Sequence, residues 1–217
     1  MIADDPSAGV VLAVCAATDD VILDTIGASG IDKRPLAGRI AVGELGLMPD
    51  HVVDTKYHGG IEQAIYAYSE HEALRWAEEL GRELPSGWFG ENLRIDGLPT
   101  TDAVVGERWE IGGDGLVVET TIPRTPCRTF AVWAEERRWV KRFLDRADTG
   151  CYLRVVTPGS VGAGDAVHIV RRPDHRVTVR DLVSGTTADA DALATLLACE
   201  DLGPKVRREA SRKLAHA

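Results

Sequence analysis

Leu116-Val117-Val118-Glu119-Thr120-Thr121-Ile122-Pro123-Arg124-Thr125-Pro126-Cys127-Arg128 changes character half-way along. Residues 116–121 are mostly β-branched and apolar, the composition of a strand. Pro123 and Pro126 then each fix φ and remove an N–H donor, so the following stretch is stiff and non-helical. A helix is expected from about residue 129 to 146, on the spacing of Phe130, Trp133, Val140, Phe143 and Leu144. The segment therefore presents a thiol, Cys127, at a strand end. Arg124 and Arg128 flank it, and nearby cations lower a thiol's pKa and raise its thiolate fraction. A thiolate is a soft ligand suited to soft or covalent metal centres. The plain alternative is a buried structural thiol, the usual fate of a lone cysteine.

Working outward, strand-like runs recur at 9–14, 38–42, 64–68, 103–111, 150–156 and 165–170, divided by Gly, Pro and Asp. Short strands at this density favour a barrel or closed sheet over a βαβ array, a mainly-β fold with interrupting helices. Ser69-Glu70-His71-Glu72 has the capping-box form and opens a helix carrying Ala73, Leu74, Ala77 and Leu80, stopped by Gly81. Near Arg171-Arg172-Pro173-Asp174 the pattern turns helical, over 179–183, 191–199 and, past Gly203-Pro204, 205–215. The expected organisation is a β-barrel domain over 9–172 with a small helical extension over 176–217. The last helix holds five Lys or Arg and one Glu. It reads as a solvated face, or less readily as a docking surface for an acidic partner.

A chain of 217 residues with 44% hydrophobic and 27% charged residues suits one well-buried domain with a small appendage. No run approaches the roughly 20 apolar residues that span a bilayer. The N-terminal Met1-Ile2-Ala3-Asp4-Asp5 is acidic where a secretory signal is basic. The expectation is a cytoplasmic protein with no membrane partner. A net charge of −9 argues against nucleic acid as a partner. It leaves room for an anionic small ligand, because a few arginines in one pocket outweigh a distant acidic surface. Cys15, Cys127, Cys151 and Cys199 contain no CxxC pair and read as reduced thiols.

Three further segments bear chemistry. In Asp54-Thr55-Lys56-Tyr57-His58-Gly59-Gly60 the paired glycines permit positive φ or close approach to a ligand. His58 is able to donate a hydrogen bond or shuttle a proton, though by spacing alone a histidine beside a turn reads as structural. Phe89-Gly90-Glu91-Asn92-Leu93 offers acceptors and an amide donor, the kit for reading a heterocycle's edge, in a sequence also common in turns. Lys33 and Arg34 lie in a Gly- and Pro-rich loop and suit a phosphate, with a surface charge pair as the simpler reading. His51, His58 and His71 with Asp50 and Asp54 match no compact zinc spacing.

The order of these segments resembles a MOSC domain, the domain at the C-terminus of molybdenum cofactor sulfurases. The resemblance runs through Gly30-Ile31-Asp32-Lys33-Arg34-Pro35, Gly46-Leu47 to Asp50, His58-Gly59-Gly60, Phe89-Gly90-Glu91-Asn92-Leu93, Pro123-Arg124-Thr125-Pro126-Cys127 and Gly162-Ala163-Gly164-Asp165. The helical tail is similar to the three-helix extension of the family's YiiM-like branch. The resemblance implies a mostly-β, barrel-containing fold that holds a molybdopterin cofactor. It implies a reductase of N-hydroxylated compounds, such as hydroxylaminopurines or amidoximes, with Cys127 as molybdenum ligand and His58 lining the site. By the same likeness Lys33, Arg34 and Arg124 hold the pterin phosphate, Glu91 and Asn92 contact the pterin or order the pocket, and Gly59 and Gly60 border it. Gln63 stands where relatives often carry Lys, and with no flavin or iron–sulfur motif, electrons are expected from a separate flavin or iron–sulfur protein. The rival readings are a carrier of the cofactor or of persulfide sulfur without turnover, and a thiol hydrolase or transferase. In the hydrolase, His58 activates Cys127 while Asp54 or Glu91 orients the imidazole.

Overall fold

A computed structural model of the chain describes residues 8–216; the acidic stretch 1–5 read above lies outside them. In chain order the elements are β1 (Ala8–Ala16), β2 (Val21–Leu23), β3 (Gly27–Ser29), β4 (Arg34–Pro35), β5 (Ile40–Gly43), β6 (Gly46–Leu47), β7 (Ile65–Ser69), α1 (Glu70–Leu80), β8 (Leu93–Asp96), β9 (Arg108–Ile111) and β10 (Leu116–Pro123). There follow α2 (Arg128–Ala134), α3 (Trp139–Arg146), β11 (Cys151–Thr157), β12 (Gly159–Val161), β13 (Ala166–Arg171), α4 (Ala190–Leu197) and α5 (Pro204–Leu214).

The strand-rich reading resolves into a closed barrel in the order β13-β9-β10-β11-β7-β8-β1, sealed by antiparallel pairing of β13 with β1. Closure removes the unpaired edges that an open sheet exposes. All barrel pairings are antiparallel except β7 with β8, where Ala67, Tyr68 and Ser69 face Leu93, Arg94 and Ile95. Parallel neighbours need a crossover, and α1 supplies it. One βαβ unit is thus built into the barrel, and β8 is a strand that the expected pattern lacked.

The barrel interior takes alternate residues of each strand. Cys151, Leu153 and Val155 point inward from β11, Trp109 and Ile111 from β9, and Val167 from β13. β7 breaks the alternation, because all five residues of Ile-Tyr-Ala-Tyr-Ser are buried. Its outer face packs into a second, aromatic cluster of Tyr68, Trp76, Phe89, Phe130, Trp139 and Phe143, formed with the three helices. Leu193, Leu196, Val206 and Ala210 of the tail helices join the first cluster, so the C-terminal extension shares the barrel's apolar core.

Four local expectations are corrected. Ser69 sits at the N-cap of α1, yet its side chain makes no cap bond, and Glu72 is buried and accepts from Thr100 instead of folding back. The run 103–111 yields a strand only from Arg108, since Gly106 takes φ +81° and turns the chain. The helix read over 129–146 is two helices. Glu135 and Arg138 both adopt left-handed φ, near 55°, which redirects Trp139 and Phe143 into the aromatic cluster. The basic face of α5 is not wholly solvated: Lys213 Nζ donates to the Val183 carbonyl at 2.6 Å, and Lys205 also turns inward. No helix among the described residues is long and apolar enough to cross a membrane.

Candidate active site

Cys127 is the N-cap residue of α2, in extended conformation (φ −111°, ψ 175°), at the point where the rigid proline loop hands over to the helix. It lines a cavity of about 770 Å³ together with Lys33, Asp50, His58, Asn92 and Arg124. Gly59 and Gly60 are on the same wall, both with positive φ, as the paired glycines foretold. Residues from five separate stretches of sequence therefore meet at one cavity.

Burial works to raise the pKa of the Cys127 thiol. The His58 side chain and then the Arg124 guanidinium overcome this and bring it down to about 6. Much of the sulfur is therefore thiolate at neutral pH. Arg128, the other flanking arginine, is exposed and is not among the main causes of that shift. The contrast with the remaining thiols is sharp. Burial pushes Cys15 up to about 12 and Cys151 well above its ordinary value, while Cys199 lies exposed on the tail.

The cations of the site differ in kind. Lys33 Nζ donates to both oxygens of Asp50 at 2.5 Å, so its charge is already countered. Asp50 also accepts from the Ala17 amide and from Asn92 Nδ2, at 2.9 and 2.8 Å. Asn92 Oδ1 in turn accepts the Tyr66 amide at 3.0 Å. Lys33, Asp50 and Asn92 thus form a satisfied polar floor. Gly87 allows the neighbouring loop to close on it: at φ +93°, a Cβ there would lie 1.9 Å from the Lys33 carbonyl oxygen.

Arg124 is the exception. It is 6% exposed, its Nη1 is buried without a partner, and among the described residues it forms no ion pair. Its guanidinium lies 3.8 Å from the centroid of the Phe130 ring and 5.9 Å from that of Tyr66. Buried charges are ordinarily paired. A guanidinium on a cavity wall without a carboxylate partner has donors arranged for the planar, bidentate contact that phosphate favours.

Two residues named from the sequence stand elsewhere. Arg34 points to solvent, its side chain 78% exposed and paired with Asp32 at 2.7 Å, so it does not reach the cavity. Glu91 is fully buried behind the wall. It accepts from the Gly87 and Phe89 amides at 2.8 and 3.0 Å and pairs with Arg94 at 2.5 Å. Its oxygens are bound to the loop and to Arg94, and they do not orient His58. Asp54, the other residue considered for that task, accepts the Lys56 amide at 3.2 Å. Sequence reasoning overlooked Asp50 as the counter-charge, and Tyr66 and Tyr152 as cavity walls. The two tyrosines face each other across β7 and β11, with ring centroids 5.4 Å apart.

The family model for the MOSC domain matches residues 54–168, more than half of the chain. Protein YiiM of Escherichia coli is 30% identical over 158 residues, 70% of this chain and 68% of that protein. A protein named Reductase from Gibberella moniliformis is 26% identical over 177 residues, 80% of this chain but 31% of that much longer protein. The crystal structure of YiiM from Geobacillus stearothermophilus superposes with a TM-score of 0.75 at 23% identity, covering 95% of this chain and 99% of that one. The chain belongs to the MOSC domain family, on its YiiM-like branch.

Proposed function

We propose that this protein is a molybdenum-cofactor-dependent oxidoreductase that reduces N-hydroxylated compounds to amines, with electrons delivered by a separate flavin or iron–sulfur protein. The observation that carries this reading is the pairing, in one cavity, of a thiol inclined to ionise with a buried guanidinium that lacks a carboxylate partner. The molybdenum cofactor asks for that combination, since it is an anionic, phosphate-bearing pterin whose metal accepts a soft sulfur ligand. The family's association with the molybdenum cofactor and the name of the fungal relative point the same way.

The bound cofactor would supply the two-electron chemistry of oxygen removal from the substrate. The rest falls to the chain. Arg124 would hold the phosphate through its guanidinium, and the Lys33–Asp50–Asn92 floor would keep the pocket's shape without offering a second free cation. Cys127 Sγ would be the protein's ligand to the metal. His58, beside that sulfur, would hold a proton on its imidazole next to the reacting end of the cavity. The outer wall of Ile26, Leu45, Val52 and Val53 is apolar and suits a flat, uncharged substrate while displacing water.

Molybdenum analysis of protein purified from a cofactor-making host tests the reading. Near-stoichiometric metal with oxidised-pterin fluorescence is expected, and Cys127→Ala should lose the metal or the activity. Wild-type protein free of molybdenum from such a host would overturn it. Loaded protein that fails to reduce a hydroxylamine with dithionite-reduced viologen would mark a carrier instead.

A further inference from the structure

Lys205 stands at the start of α5, and its side chain turns back toward the barrel. Its Nζ donates to the Gly59 carbonyl at 3.0 Å and to the side-chain oxygen of Gln63. Its backbone N–H donates to both carboxylate oxygens of Glu62, at 3.0 and 2.9 Å, and the Val206 amide reaches the same group at 3.2 Å. Glu62 is therefore the anionic cap that the N-terminus of α5 calls for. The carbonyl of Glu62 accepts Thr121 Oγ1 at 2.7 Å. Thr121 belongs to β10, the strand that leads into the proline loop and Cys127.

These bonds converge on residues 59–63, directly after His58. Gly59 and Gly60 both take positive φ, a conformation that glycine adopts at little cost and that fixes little by itself. The loop's own ties are short-range, His58 N–H to the Asp54 carbonyl at 3.1 Å and the Lys56 amide to the Asp54 side chain. The tail helix, together with the Thr121 bond from β10, ties the segment just after His58 to the body of the fold. Burial disfavours the charged form of Lys205.

We propose that Lys205 is a positioning residue of the active site, reaching from the C-terminal helix to hold the Gly59 carbonyl and, through it, to keep His58 against Cys127. The extension would then be part of the site's machinery as well as of the core. The inference rests on reading His58 and Cys127 as the working pair.

The test uses full-length protein from a host unable to make the molybdenum cofactor. Imidazole NMR signals are followed at fixed pH, with His58→Ala identifying the His58 signal. In Lys205→Ala the His58 signal is expected to move to the position of solvent-exposed histidines. Alkylation of Cys127 at pH 7 should slow by about threefold or more, as the thiolate loses its partner. Lys205→Arg, which keeps the charge and the donors, should restore both. A folded Lys205→Ala protein with a wild-type His58 signal, or one whose loss arginine does not repair, would overturn the proposal. Should that variant fail to fold, Gln63→Leu removes one acceptor of the ammonium and leaves the Glu62 cap intact; a displaced His58 signal supports the proposal and an unmoved one overturns it. Because every readout is taken without metal, a chain that never binds molybdenum would refute the functional reading and leave this result to be judged by itself.

Discussion

Replacing Arg124 by methionine separates what the guanidinium costs the fold from what it gives the site. The side chain is 6% exposed with Nη1 unpartnered, and a buried charge without a counter-ion costs several kcal/mol. Its position 3.8 Å from the Phe130 centroid returns about 2 kcal/mol through the cation–π contact. Methionine is unbranched and apolar, so it abolishes the desolvation cost and keeps much of the packing against the ring. The balance is a cofactor-free variant more stable than wild type by roughly 1–3 kcal/mol. Protonation of Cys127 modulates the gain. With a thiol pKa of about 6, the sulfur is neutral at pH 5 and the guanidinium has no anion beside it. At pH 8 the thiolate partly compensates the charge. The linkage has a definite sign: the folded-state pKa is depressed below 9, so this ionisation stabilises the fold at high pH, and the contribution fades as pH falls through about 6. The advantage of the variant should accordingly be larger at pH 5 than at pH 8, measured by urea unfolding of cofactor-free protein. In the same variant the phosphate loses charge-assisted hydrogen bonds of about 1.5–3 kcal/mol, a weakening of roughly tenfold to a hundredfold in pterin affinity. A variant less stable than wild type at pH 5, or one that retains the cofactor undiminished, would refute the account of Arg124 as a cation kept for an absent anion.

Two further outcomes follow from buried ionisable groups. In a Cys199→Ser background, iodoacetamide should label Cys127 with a midpoint near pH 6 while Cys15 and Cys151 stay silent; His58→Ala should move the midpoint toward 9, and a wild-type midpoint already at 9 would contradict the site's electrostatics. Glu72 is buried and desolvation raises its carboxyl to about 7 from 4.5, so its neutral form stabilises the fold below 4.5 and that benefit is lost as pH rises through about 7. At about 1.4 kcal/mol per pH unit the loss comes to roughly 3.5 kcal/mol. Glu72→Gln should therefore flatten the stability profile between pH 4 and 8, and parallel profiles for variant and wild type would dismiss the effect.

The elements legible in the sequence are those whose signal is local. Strands β1, β7, β10, β11 and β13 announce themselves through β-branched runs bounded by glycine and proline. So does the Pro123-to-Pro126 loop, because proline's constraint acts within one residue. β8 escaped notice because Leu93-Arg94-Ile95-Asp96 is four residues long and carries an arginine that reads as solvent-facing; in the fold Arg94 is buried and paired with Glu70 and Glu91. The break at 135–138 was invisible for a related reason. Left-handed φ at Glu135 and Arg138 is imposed by the aromatic cluster beyond them and has no glycine to advertise it. For the site, residue type was readable and charge state was not. Lys33, Arg34 and Arg124 look alike on paper, and only their partners distinguish them: Asp50, seventeen residues on, for the first; Asp32 for the second; none among the described residues for the third.

On the proposed reading, that distinction explains how a chain with a net charge of −9 would recognise an anion at all. Every paired cation in the neighbourhood belongs to the structure and has little affinity left to offer: Lys33 to the floor, Arg94 to the Glu91 loop, Lys205 to the turn at Gly59. Their role is to make the walls rigid enough that the remaining guanidinium cannot relax onto a neighbouring carboxylate. An unpaired buried charge persists when the surrounding packing denies it an internal partner, and here the denial comes from the Phe130 ring and from Pro123 and Pro126, which leave Arg124 little backbone freedom. Selectivity follows from the same arrangement. On the proposed reading, a ligand gains from this cavity in proportion to the negative charge it places at the Arg124 guanidinium and to the softness of the atom it offers Cys127. A plain metal ion satisfies the second condition alone and a plain phosphate the first alone. A metal carried on a phosphorylated organic scaffold satisfies both at once, and the distance between Arg124 and Cys127 along one stiff loop is what makes the two demands a single recognition event.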